Sequence, residues 1–148
     1  RKSFVRKISV MHHILIDTDV ILDFLFDRKP FSDDSAKLLS LCEKGEIKGF
    51  VTAIMLSNIY YLLRKSAKHE KVIESLKSLL LIVDISVTNR QAVQNALDSD
   101  FKDFEDALQN FSAQMEKYIT IIVTRNIKDY KTSSLSIMTP ETYLKTLA

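Results

Sequence analysis

Glycine and proline are scarce in this chain, with two of each among 148 residues. No Pro-, Gly- or Ser-rich stretch divides it, so residues 11–148 are expected to form one domain, and 46% hydrophobic residues suffice for a substantial core. Cysteine is scarcer still. Cys42 has no possible internal disulfide partner, and its apolar setting, SAKLLSLC, reads as a helix-core thiol suited to a reducing compartment. No segment reaches the ~20 apolar residues that a bilayer span requires. The basic N-terminus is not followed by a long apolar stretch and a small-residue cleavage site. A cytoplasmic location without membrane contact is the expectation. The lack of a glycine-rich turn after the first strand argues against dinucleotide binding and against a P-loop. One Cys and three scattered His provide no zinc-ligand spacing.

The charge balance is uneven along the chain. The formal value of +2 owes much to residues 1–10, RKSFVRKISV, which hold Arg1, Lys2, Arg6 and Lys7 and no acid. Setting these four aside leaves 17 basic against 19 acidic side chains from Met11 onward. Overall charge is therefore a poor guide to nucleic-acid binding. Residues 1–10 read as a basic extension.

What is present is an alternation of short apolar runs and helical patterns. HILID (13–17) reads as a buried strand ending in a carboxylate, and VILDFLF as a short helix with Asp19 near its start. After Pro30, Ser32 or Asp33 can cap a helix that runs to about Gly45. IKGFVT (47–52) is a second strand, and Thr52 caps AIMLSNIYYLLRKSA, whose apolar residues recur at helical spacing. A helix over 69–79 precedes the continuous apolar run LLLIVDI, which suits an interior strand. Ser86 opens a helical segment to about Leu97, and SDFKDFEDALQNFSAQMEK has an amphipathic helical pattern. TIIVT is the strongest strand signal. It is followed by the polar turn RNIKDY, a weaker strand LSIMT and a helix from Pro140. Strands separated by helices predict a three-layer α/β/α fold with a central, mainly parallel sheet of about five strands.

In such a sheet ligands bind beyond the carboxyl ends of the strands. Asp17 ends the first strand, Asp103 and Asp106 open the helix before TIIVT, and Asn126 and Asp129 follow that strand. Oxygen ligands from distant segments would thus meet at one sheet edge, a set suited to Mg²⁺ or Mn²⁺. Asp19 is first a helix-cap candidate, and Asp103 could be an N-terminal charge favoured by the helix dipole. Asp23, one turn beyond Asp19, either lines the site or is solvated. Burying Asp17 is costly unless it is hydrogen-bonded or holds a cation. His12 and His13 precede the strand, at the wrong end of the sheet, and Tyr60 and Tyr61 read as core or interface residues. Arg64, Arg125, Lys128 and Lys131 are candidates to contact phosphate.

ILIDTDVILDFL, DFEDALQNFSAQ, and IIVTRNIKDY followed by SIMTPETYL together resemble the PIN-domain ribonucleases, the family of the VapC-type toxins. The resemblance spans Met11 to Leu147. It implies a Mg²⁺- or Mn²⁺-dependent endoribonuclease hydrolysing RNA phosphodiester bonds, a homodimer, and an antitoxin protein as partner. Asp17 would match the first metal-binding acid and Asp106 the third, with Thr18 and Asn126 in support and Asp129 and Asp103 completing the acidic pocket. The second acid of the family, a Glu on the helix after the second strand, aligns with Asn58. An amide can orient a metal-bound water but carries no charge. Asp19 or Asp23 could supply what is missing, whereas Glu105 should point elsewhere around the helix from Asp106. The alternative to catalysis is a weak or inactive PIN-like module that binds RNA or protein.

Overall fold

The computed structural model describes residues 11–147; the basic stretch 1–10 lies outside the described residues. The strands are β1 (His13–Ile16), β2 (Lys48–Val51), β3 (Val83–Ile85), β4 (Ile119–Val123) and β5 (Ser136–Met138). The helices are α1 (Thr18–Leu25), α2 (Ser32–Glu43), α3 (Ala53–Arg64), α4 (His69–Leu80), α5 (Arg90–Leu97), α6 (Phe104–Met115) and α7 (Pro140–Thr146), with a 3₁₀ turn at Ile127–Tyr130. All strand pairings are parallel, in the order β3-β2-β1-β4-β5, with helices on both faces. The three-layer α/β/α fold expected from the strand–helix alternation is the fold observed.

The topology locates the site. The chain steps outward from β1 through β2 to β3, then returns across the sheet to β4 on the other side of β1 and continues to β5. Right-handed crossovers therefore place α1–α4 on one face and α5 and α6 on the other. Packing agrees: α1 meets α2 and α3, α2 meets α7, and α6 meets α5 and β4. The reversal opens a crevice beyond the carboxyl ends of β1 and β4, where sheets of this kind bind ligands. Apolar residues of β1 and β4, among them Ile14, Leu15, Ile16, Ile122 and Val123, are buried and hold the two strand ends rigidly beneath it.

Local chemistry sets several boundaries away from the expected ones. Apolar character alone would carry a strand through Leu79–Ile82, yet α4 runs to Leu80 and Leu81 is 87% exposed. The helix expected from Ser86 begins at Arg90, because the Asn89 side chain caps it by accepting from Ala92 N at 2.9 Å. Ser86 instead donates its hydroxyl to the Ser112 carbonyl. Neither Ser32 nor Asp33 caps α2; Phe31 stands at that position without a side-chain bond, and Ser32 donates to Asp27. Thr52 does cap α3, accepting from Met55 N. Gly45, at φ +77°, ends α2 in the left-handed conformation. Tyr61 is an exposed surface residue and not core. Among the described residues no helix is long and apolar enough to cross a membrane.

Candidate functional site

Asp17 continues β1 without a break, its backbone N–H donating to the Val123 carbonyl at 2.9 Å. One carboxylate oxygen accepts from Thr18 N at 2.8 Å and caps α1, so Asp17 holds the cap position expected of Asp19. The other accepts from the Thr124 hydroxyl at 2.9 Å and lies 3.3 Å from the Tyr130 hydroxyl. These bonds offset the cost of burying the group. Burial still dominates and raises the Asp17 pKa; the bonds from Thr124, Thr18 and Tyr130 oppose the rise, and the charge of Glu105 adds to it.

Asp19, in the first turn of α1, accepts from Arg125 N at 3.2 Å and Asn126 Nδ2 at 3.0 Å. Burial first, and the neighbouring Asp17 charge second, push its pKa to about 6. Asp23 is wholly buried. Its carboxylate is gripped by Arg125 through Nε at 2.5 Å and Nη2 at 3.1 Å, with Arg28 Nη1 at 3.5 Å. The Arg125 guanidinium also lies 4.0 Å above the Phe31 ring. Asp23 is thus compensated by an internal cation, and Arg125 faces inward where a phosphate contact was expected. Arg64 sits in the last turn of α3, remote from the crevice, and donates to the Ala67 carbonyl.

On the far side of the crevice Asp103 caps α6, accepting from Asp106 N at 2.9 Å. Burial, then the charges of Asp17, Asp103, Asp129 and Glu105, push the Asp106 pKa to about 7. Asp103, Asp106 and Asp129 line a cleft with Asp100, Lys128 and Lys131. Its volume is ≈ 110 Å³.

Three groups that the sequence did not single out, Thr124, Tyr130 and Gln109, organise the centre together with Glu105. The Tyr130 hydroxyl donates to Gln109 Oε1 at 2.7 Å and lies 3.4 Å from Asp106 Oδ1 as well as near Asp17. A phenol has one proton. That proton is contested by Gln109, Asp17 and Asp106, whose oxygens all lie within 3.4 Å of the hydroxyl. Asn58 donates its amide to Glu105, whose carboxylate also accepts from Gln109 Nε2 at 3.3 Å. Glu105 therefore faces Asn58 and feels the site, its pKa raised by burial and then by Asp103. Thr124, which ends the TIIVT run, was the one of the three with a positional signal; Tyr130 and Gln109 had none, and Glu105, expected to point elsewhere around the helix, meets Asn58.

The expectation of a Mg²⁺ or Mn²⁺ centre held by Asp17, Asp103, Asp106 and Asp129 is overturned. Among the described residues no group of three or more His, Cys, Asp or Glu is arranged to hold a metal ion. The physical reason lies in the bonds already described. Both Asp17 oxygens are taken by Thr18, Thr124 and Tyr130. Asp23 turns to Arg125, and Asp19 accepts from Arg125 N and Asn126 through Oδ2 while its Oδ1 is buried without a partner among the described residues; Asn58 brings an amide bonded to Glu105. Thr18 contributes its backbone N–H, while its buried hydroxyl finds no partner among the described residues.

Solved structures share this fold at low identity. A VapBC2 complex from Rickettsia felis bound to a promoter DNA fragment matches with TM-score 0.65 and 19% identity over 85% of this chain and 96% of that one. A toxin–antitoxin complex from Klebsiella pneumoniae gives 0.64 and 19% over 86% and 97%. VapC20 of Mycobacterium tuberculosis, a sarcin–ricin loop cleaving toxin, gives 0.60 and 14% over 82% and 95%. No curated protein sequence matches the chain. The PIN-domain profile matches residues 13–128, from the first residue of β1 into the turn beyond β4. The chain belongs to the PIN-domain family.

Proposed function

We propose that this protein is a PIN-fold interaction module of the toxin–antitoxin type, whose acidic crevice receives a cationic side chain from a partner protein. The carrying observation is the small cleft in which burial first, and then the acids around it, hold Asp106 near pKa 7. Ionised acids crowded together are relieved by a positive charge placed among them. Four aspartates, Asp100, Asp103, Asp106 and Asp129, line the cleft beside Lys102, Lys128 and Lys131, and the Asp103 side chain fixes the first turn of α6 by accepting from Asp106 N. Complexes with antitoxins among the structures of like fold support a protein partner.

The second reading is an endoribonuclease. It is favoured by family membership and by Lys128 and Lys131 at the rim of the acidic cleft, where a phosphate backbone could be positioned. One comparison separates the two. Purified protein is incubated with RNA in buffers with and without added divalent cations, beside Asp17→Ala. No cleavage beyond that of Asp17→Ala is expected. In parallel, an arginine-containing peptide is titrated while the Asp106 carboxyl is followed by NMR, and its pKa should fall by at least one unit. RNA cleavage that Asp17→Ala abolishes, with Asp106 unmoved by the peptide, establishes the ribonuclease reading instead.

A further inference from the structure

We propose that the groove between α2 and α7, away from the acidic crevice, is a docking surface for an acid-flanked amphipathic helix of a partner protein. Two adjoining, shallow and open spaces of ≈ 580 and ≈ 380 Å³ meet at Leu41 and Leu144, which border both and form the apolar centre of the groove. Leu41 and Leu144 are half-buried against the core, and Leu147 extends the apolar floor. The floor is stable because Tyr143, wholly buried beneath, anchors α7 to the body of the protein.

Charge decides the kind of occupant. Lys37 and Lys44 line the groove from α2, seven residues apart and therefore about 10 Å along one helix face. Both are exposed, and neither has an acidic partner among the described residues. Glu46 stands at the far end of the groove alone. An apolar floor with two unpaired lysines on one wall complements a helix of two to three turns with an apolar stripe and acids along its flank. The same charges disfavour residues 1–10 of this chain, which carry four basic and no acidic side chains. This surface is independent of the acidic crevice, where the partner group would be cationic.

The test uses the full chain labelled with ¹⁵N and two synthetic 18-residue amphipathic helices sharing one leucine stripe, one flanked by Glu and the other by Lys. The Glu-flanked peptide should shift the amide signals of α2 and α7 and bind at least ten-fold more tightly. Reversing the wall, Lys37→Glu with Lys44→Glu, should invert that preference, and both positions are exposed enough to spare the fold. Equal binding of both peptides, binding of neither, or shifts confined to the Asp17–Asp106 crevice overturns the proposal. So does self-association that the reversed wall abolishes, which assigns the groove to a second copy. RNA cleavage through Asp17 leaves every one of these readouts unchanged, so failure of the crevice reading is distinguishable from failure here.

Discussion

Asp23 and Arg125 form the most consequential pair in the crevice. A wholly buried carboxylate is tolerable only with a partner, and Arg125 supplies two short hydrogen bonds as well as its face-on contact with Phe31. Removing the cation leaves a buried charge with only Arg28, at 3.5 Å, in reserve. Arg125→Met is expected to lower stability in urea by about 3 kcal/mol, at the low end for breaking such a pair. Asp23→Asn combined with Arg125→Met should recover part of that loss, because no ion is then left stranded. The sequence displayed both residues. It could not pair them, since 102 positions separate them and only the pairing of β1 with β4 brings α1 beside the loop after β4.

At the scale of the element, α6 shows one residue performing two tasks that can be separated. Asp103 caps the helix through its side chain, and its charge contributes to the raised pKa of Asp106. Asn caps about as well as Asp without the charge. Asp103→Asn should therefore preserve thermal stability while lowering the Asp106 pKa from about 7, measured by carboxyl NMR. Asp103→Ala should lower that pKa as well and also cost about 1 kcal/mol for the lost cap. The acidic start of this helix was legible from its pattern, although the predicted onset at Ser99 lay several residues early. Glu105 was misplaced for a definable reason. Adjacent helical residues point about 100° apart, but both can border one site when the site wraps around the first turn. Here Asn58 on α3 reaches across to meet Glu105.

For the molecule as a whole, the crevice sets a dependence of stability on pH. Asp17, Asp19 and Asp106 all have raised pKa values, the latter two at about 6 and about 7 against an ordinary 3.8. Between these limits the folded state holds protons that the unfolded chain has released. Their contribution to stability is full below about pH 4 and is lost as pH rises through 6 and 7. Thermal unfolding followed from pH 5 to 8 should show a falling Tm. Asp106→Asn should flatten that slope and raise Tm at pH 8. A bound cationic group should act in the same direction, stabilising most at pH 8, where the acids it meets are ionised.

The order of strands and helices, the parallel sheet and the approach of Asp17, Asp103, Asp106 and Asp129 to one end of it follow from local pattern. Apolar runs of strand length and helical periodicity are properties of neighbouring residues, and a right-handed α/β crossover leaves few ways to assemble them. What those acids do there was decided only by the tertiary structure. Whether a carboxylate faces a metal, an arginine or a tyrosine hydroxyl depends on side chains up to 113 positions away, as with Asp17 and Tyr130. Burial and mutual repulsion, which set their charge, exist only once the crevice has closed around them.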